Sequence, residues 1–351
     1  MIDFIIVGSG LAGISFAEIA LNANKSIVVF DDNSQPSSRI AGGLYNPVVL
    51  KRFSEVWKAK EQLEFAFPLY HQIQDKLNVV FDFKIPILRK LASIEEQNNW
   101  FQAADKPNLS PFLNSTLITK KYSSIDSPFQ YGLVNETGYL DINSLIFSYL
   151  NYLKGIDLLK KERFDYSEIQ FFDEYIVYKD IKAKHIIFSE GFGLHSNPYF
   201  NDLPLDGTKG ELLIIKAKDL DLDVVIKSSV FILPIGNDLY KVGATYNWQD
   251  KTNTPTDEGR EELVEKLKEI ISCDFEIVQH FGGVRPTVKD RRPLVGTHPD
   301  YLQLHVLNGL GTRGVMLGPY LAKQLFEHIV NGKTLEKEID IVRCYKKSRN
   351  N

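Results

Sequence analysis

Two short glycine runs carry the strongest chemical signal in this 351-residue chain. Gly8-Ser9-Gly10-Leu11-Ala12-Gly13 has the spacing G-x-G-x-x-G and lies between the apolar run Phe4-Ile5-Ile6-Val7 and a stretch of helical periodicity. In that setting Gly8 permits a tight turn, Gly10 lets backbone N–H groups approach a diphosphate, and Gly13 lets the helix pack close. The helix N-terminus, with Leu11 and Ala12 in its first turn, adds the positive end of its dipole. Asp31 ends the next apolar run, where a carboxylate accepts hydrogen bonds from ribose hydroxyls; its neighbour Asp32 could exchange roles with it. The chemistry expected here is dinucleotide binding, and the competing reading is a purely structural turn.

Gly309-Leu310-Gly311-Thr312-Arg313-Gly314 repeats the spacing, again between an apolar run and a helical pattern. The sequence offers no further strand after that helix, so a second complete βαβ unit is not expected. The more economical reading sets the backbone of Gly309, Gly311, Thr312, Arg313 and Gly314 against partial negative charge on the same cofactor. A flavin ring becomes anionic on its pyrimidine side when reduced, and a helix dipole favours that form by about 1 kcal/mol or more. A turn with only packing duties is the alternative. Ile186-Ile187-Phe188-Ser189-Glu190-Gly191 reads as an apolar strand at a sheet edge, with Gly191 letting the chain pass close to a cofactor. With the first glycine run it favours FAD over NAD, because the longer nucleotide touches several strand ends. Arg39 opens a loop whose Ala41, Gly42 and Gly43 leave space for a bulky ring, unless the loop is an ordinary flexible one.

The elements that must hold these residues follow from periodicity. Residues 2–7 and 26–30 read as strands around a helix at 11–23, forming one βαβ unit. A longer helix is expected at 55–78, interrupted by Pro68, and 81–133 mixes short strands with turns that lack βαβ rhythm. Helical spacing returns at 141–153, with strands at 168–178 and 185–189. Residues 210–216, 229–234 and 239–245 suggest an antiparallel meander, closed by a polar helix at 256–272. A strand at 276–280 leads back, and strand 302–307, the late glycine loop and helix 315–331 complete the first lobe. The length fits two interleaved lobes: 1–80, 134–205 and 276–351 as a discontinuous FAD-binding domain, with 81–133 and 206–275 as a substrate domain.

Bulk composition narrows the function classes. With 41 basic against 45 acidic residues, no chain-wide field exists to hold nucleic acid or an anionic membrane, which leaves only a local basic patch for such a role. Cys273 and Cys344 are too few for a disulfide framework and fit a reducing, cytoplasmic setting. The apolar start lacks a basic leader and breaks at Gly8, so a strand rather than a signal peptide is expected. No apolar run reaches the ~18 residues of a membrane span, and a soluble protein is expected. The seven histidines and two cysteines lack metal-ligand spacing, so no metal is expected.

With these residues in place, the chain resembles the D-amino acid oxidase superfamily of FAD-dependent oxidoreductases, in its glycine and sarcosine oxidase branch. Besides the first glycine run, the likeness rests on Ala41-Gly42-Gly43, Lys209-Gly210-Glu211, Val242-Gly243-Ala244-Thr245, Gly282-Gly283-Val284-Arg285-Pro286-Thr287-Val288-Lys289-Asp290 and Arg292-Pro293-Leu294-Val295-Gly296. Gly43-Leu44-Tyr45-Asn46-Pro47 and Leu310-Gly311-Thr312-Arg313-Gly314 are also similar to the oxidase half of the bifunctional enzyme that modifies tRNA wobble uridines. The likeness implies an α/β fold: an FAD-binding Rossmann-like parallel sheet of the glutathione-reductase type, with an interleaved antiparallel-sheet α+β substrate domain. Glu190 departs from the small residue usual before the strand-end glycine. Neither cysteine stands where sarcosine oxidases attach flavin, so FAD is expected to be noncovalent.

The resemblance further implies that a neutral amine passes hydride from its α-carbon to flavin N5, leaving an imine that hydrolyses; no separate general base is needed. Arg285 matches the arginine that holds the substrate carboxylate, where two parallel hydrogen bonds suit a guanidinium; a salt bridge to Asp290 or a neighbour is its alternative. Arg313 matches an arginine near the family's active site. Tyr246 follows the Val242-Gly243-Ala244-Thr245 strand and either closes the pocket or is merely exposed or packed. Lys51 and Arg52 read better as a solvated face than as an entrance. Three functions follow: an oxidase of free amino acids or N-substituted glycines, a standalone tRNA-modifying oxidase removing a carboxymethyl group, and a non-catalytic dinucleotide-binding module.

Overall fold

The computed structural model describes residues 1–348. Strand β1 (Ile2–Val7) is buried over Phe4-Ile5-Ile6-Val7, as a central strand of a sheet covered on both faces must be. Gly8 breaks it, and helix α1 (Leu11–Asn22) carries the chain back to β2 (Ile27–Phe30), parallel to β1 with Phe4 opposite Ile27. A single turn, α2 (Ser37–Ile40), precedes small ribbons around residues 44–55 and then α3 (Ala59–Leu77). β3 (Ile87–Lys90), α4 (Ile94–Ala104), β4 (Tyr131–Val134), α5 (Ile142–Gly155) and β5 (Leu159–Lys160) follow. Next come β6 (Ile169–Phe171), β7 (Ile176–Tyr178) and β8 (Ile181–Phe188). The meander is β9 (Thr208–Lys216), β10 (Val225–Lys227), β11 (Phe231–Pro234) and β12 (Leu239–Gly243), then α6 (Asp257–Lys268) and β13 (Glu276–Arg285). β14 (Leu294–Thr297), β15 (Leu304–Asn308), α7 (Gly314–Asn331) and α8 (Val342–Ser348) end the described chain.

These strands form two large sheets. In the first, β5, β2, β1 and β8 lie parallel in that order, and the far side of β8 is shared by β7 with β6 and by β15 with β14. One face of this sheet, with Phe4 and Ile6, packs on Ile14 and Phe16 of α1 and on Leu321 and Leu325 of α7. The other face, with Ile5, Val7, Ile186 and Phe188, packs on Phe164, Leu194 and Phe200. The second sheet runs β13-β9-β12-β11-β10-β3-β4, antiparallel except for β10 beside β3. Its Leu213, Ile232 and Val242 are buried against Leu263 and Leu267 of α6, which leaves its opposite face turned to the first sheet.

Four expectations change. Helix α3 starts at Ala59 and runs through Pro68 without a break. Residues 94–104, expected as strand and turn, are helical: Ser93 accepts a hydrogen bond from the Glu96 N–H, and Glu96 in turn accepts the Ala92 N–H. Strand β8 is not an edge strand, since β1 lies on one side of it and β7 and β15 on the other. The strand expected at 276–280 extends to Arg285 and pairs with β9, so it belongs to the antiparallel sheet instead of leading back to the parallel one.

Candidate active site

A cavity of about 560 Å³ opens where the C-terminal ends of β1, β2, β8 and β15 meet the free face of the antiparallel sheet. Ligands of open α/β sheets bind in this crevice because loops diverge there and helix N-termini point into it. Gly8, with φ +98°, could carry no side chain: a Cβ would lie 2.5 Å from the Ser189 carbonyl oxygen. Gly13 lies behind the cavity wall, where a Cβ would stand 1.9 Å from the Gly8 carbonyl, so its absence seats α1 on the turn. Gly8, Gly10, Leu11 and Ala12 line the cavity; Gly10 gives α1 no side-chain cap, and Ser38 Oγ accepts only the Leu11 N–H, at 3.5 Å, which leaves the other first-turn N–H groups for a ligand.

Asp31 braces this turn from β2, its Oδ2 accepting the Ser9 N–H at 2.7 Å and its Oδ1 the Asn33 N–H at 2.7 Å. Asp32 is exposed on the same rim and accepts the Ser34 N–H at 2.9 Å. Partial burial raises its pKa, but the Ser34 hydrogen bonds outweigh that and hold it below the usual carboxylate value. Both aspartates line the cavity, as do Ala41, Gly42, Gly43 and Gly191. Arg39 does not: its Nη2 donates to Asn33 Oδ1 at 2.7 Å, outside the lining.

The late glycine loop closes the other side. Gly311, Thr312, Arg313 and Gly314 line the cavity, whereas Gly309, at φ +75°, turns behind it against Val288 and Leu294. A Cβ on Gly314 would touch Leu11 Cδ1 at 3.1 Å, so the two glycine runs meet although about 300 residues separate them. Helix α7 begins there with no side-chain cap.

Arg285, at the end of β13, projects over Gly210, where a Cβ would come within 1.8 Å of its Nη2. Its Nη1 donates to the Lys209 and Thr245 carbonyls at 3.3 and 3.2 Å, and the exposed Tyr246 ring lies 4.7 Å from its Cζ. Among the described residues Arg285 has no carboxylate partner; Asp290, its expected alternative, faces Arg343 at 3.5 Å. Burial pulls the pKa of Arg285, and likewise of Arg313, below the usual guanidinium value. Arg313 donates to the Asn46 carbonyl at 3.1 Å. Lys51 and Arg52 are exposed and stand outside the cavity.

Several lining residues escaped the sequence reading. Glu190 was noted only as a departure; it accepts hydrogen bonds from Tyr166 and Asn197, and burial pushes its carboxyl up to about 7. Ser189 Oγ is buried in the lining without a protein partner. Phe231 and Lys227 enter from the antiparallel sheet. The lining carboxylates, Asp31, Asp32, Glu162 and Glu190, all follow strands of the parallel sheet and are joined there by Arg163, whereas Lys227 and Arg285 come from the antiparallel sheet and Arg313 from the late glycine loop.

Residues 3–328 match the family model of the DAO, or FAD-dependent, oxidoreductases. The chain belongs to this family. It is 22% identical to glycine oxidase of Bacillus subtilis (strain 168) across 94% of this chain and 93% of that protein. It is 23% identical to the tRNA 5-methylaminomethyl-2-thiouridine biosynthesis bifunctional protein MnmC of Marinobacter nauticus, over 93% of this chain but about half, 55%, of that relative. L-proline dehydrogenase from P. horikoshii shares the fold, with a TM-score of 0.80, 14% identity and 98% of both chains covered. This DAO-family oxidoreductase is therefore an enzyme that uses FAD, and its cavity fits the cofactor. Two helix N-termini and the partnerless Ser189 hydroxyl face one space lined from both large sheets. None of its helices is long and apolar enough to cross a membrane among the described residues.

Proposed function

We propose that this enzyme oxidises the C–N bond of an amino acid or an N-substituted glycine, and that Arg285 holds the substrate carboxylate. The observation that carries the reading is a half-buried guanidinium in the cavity lining, bonded only to carbonyls and over a glycine that makes room for it. A partly desolvated cation without a counter-ion is costly, and an incoming carboxylate offsets that cost while fixing orientation through two parallel hydrogen bonds. Gly8, Gly10, Leu11 and Ala12 would hold the FAD diphosphate, with Asp31 or Asp32 at the ribose. Gly42, Gly43, Gly311, Thr312, Arg313 and Gly314 would border the ring. Bound there, the flavin supplies a two-electron acceptor for the hydride from the carbon beside the amine nitrogen. The chain's share is positioning: Arg285 anchors one end of the substrate, and Tyr246 partly covers Arg285 from solvent. Anaerobic mixing of the holoenzyme with amino acids and N-alkyl glycines, followed at the flavin absorbance, tests this. Bleaching by none of them would end the proposal.

A second reading takes its support from the likeness to MnmC over nearly the whole chain: an aminoacetate carried on a tRNA nucleoside, with Arg285 in the same role. Hypomodified tRNA belongs in the same panel. Turnover of tRNA would fall steeply with salt, whereas turnover of a free amino acid would not.

A further inference from the structure

Lys227 ends β10 and lines the cavity, yet the resemblance gives it no role. Its direction follows from register. Leu212 pairs with Gly243, Gly243 with Phe231 and Phe231 with Lys227, so the four form one row across the sheet. Directly opposed residues of antiparallel strands share a face. Arg285 pairs with Thr208, which shares its face with Gly210 and Leu212 by alternation along β9. Arg285 and Lys227 therefore rise from the same face of the same sheet, at opposite sides of the cavity floor.

Lys227 is a cation without a counter-ion. Its Nζ donates to the Ser228 carbonyl at 3.1 Å, and among the described residues it forms no ion pair. Arg89, on the neighbouring strand, also donates to that carbonyl at 3.0 Å, but Glu96 neutralises it through contacts of 2.7 and 2.9 Å. Burial, reinforced by the positive charges of Arg89 and Lys266, presses the Lys227 pKa down to about 8. An anion arriving from the cavity would offset the cost of holding that charge out of water.

We propose that Lys227 is a second anion subsite, and that the preferred substrate is an amino acid whose far end, on its side chain or its nitrogen substituent, carries another acid group. This rests on the reading that Arg285 takes the first carboxylate. Length follows from the sheet. Four strand steps of roughly 4.8 Å set the two backbones about 19 Å apart before any offset along the strands. Two long side chains close only part of that gap, so the acid stands several bonds beyond the amine.

The test uses the holoenzyme, anaerobic flavin bleaching and matched compounds: N-butylglycine, N-(4-carboxybutyl)glycine and 2-aminoadipate, with glycine and sarcosine as short references. The wild type should show a KM on the order of 10- to 100-fold lower for one of the diacids than for N-butylglycine, as expected of a charge-assisted contact. Lys227→Met should abolish that ratio and leave N-butylglycine within 3-fold. The diacid that benefits tells whether the acid rides on nitrogen or on the side chain. Equal KM values in the wild type would overturn the subsite, as would a Lys227→Met variant that slows every substrate alike or shifts the flavin potential, because either marks a contact to cofactor. If that variant fails to hold FAD, the wild type still decides: pimelate should perturb the flavin spectrum at lower concentration than heptanoate, and equal affinities reject the proposal. Absence of bleaching by any amine would instead strike the Arg285 reading itself.

Discussion

Arg285 owes its place to the residue beneath it. Any side chain at Gly210 would occupy the guanidinium's own position, so the glycine and the arginine form a single device made from neighbouring strands. Arg285→Lys keeps the charge but loses the two-pronged geometry. FAD should remain bound while flavin bleaching by an amino acid slows by about 2 to 4 kcal/mol of lost anchoring. Stopped-flow reduction with an unchanged rate would remove Arg285 from the site. Glu190 offers a pH test of a different kind. Its folded-state pKa, about 7, lies above the 4.5 of a free side chain because burial penalises the carboxylate. The folded protein thus holds a proton that the unfolded chain has released between those values. The associated stability is complete below 4.5 and is lost as pH rises through 7. Glu190→Gln should match the wild type in urea unfolding at pH 5 and exceed it by about 1 to 3 kcal/mol at pH 8.5. The same difference at both pH values would contradict the assignment of that proton to Glu190.

At the scale of elements, legibility tracked the reach of the forces involved. The β1-α1-β2 unit could be read directly, because unbroken apolar runs and a helical stripe flank Gly8, and each signal is local. Helix α4 could have been found from Ser93 and Glu96, a capping pair in a stretch whose prolines and serines pointed to turns. The extent of β13 could not. Gly282 and Gly283 resemble a turn in sequence, but they are strand residues kept bare because residues 253–255 and Ile40 press on them. Nor could the interior position of β8, since sheet order is decided by pairings between distant segments. Lys227 was invisible for the same reason: only its register with Phe231 turns it toward the cavity. The local signals themselves can be tested by contrast between two helical glycines. Gly13→Ala drives a methyl into the Gly8 carbonyl and should force α1 off its seat, costing about 1 to 3 kcal/mol and much of the bound FAD. Gly155→Ala, at the end of α5 with open space around it, should be neutral or stabilising by up to about 1 kcal/mol. Thermal melts and flavin content per chain compare them, and equal behaviour would mean that Gly13 is not a packing constraint.

The whole molecule is organised so that segments far apart in sequence complete one wall. Helices α1 and α7 pack side by side, with Gly314 against Leu11 and Gly318 against the Leu11 carbonyl, and their N-termini point into the same cavity. A ligand in that cavity therefore touches both an early and a late segment of the described chain, and its binding energy must be shared between them. At 100 times its dissociation constant, FAD would add about 2.7 kcal/mol to the stability of the fold. More telling is where that stability appears. Hydrogen exchange compared between apoprotein and holoenzyme should show slowing at residues 9–14 and at 310–317 together, even though the two peptides share no strand or hydrogen-bond ladder. The outer ends of the same two helices, near residues 20 and 330, lie away from the cavity and should change far less. Protection confined to the first peptide would mean that the nucleotide is gripped by the β1-α1 turn alone. The late glycine loop would then have no part in holding the flavin ring, and Arg313 would lose its place beside it.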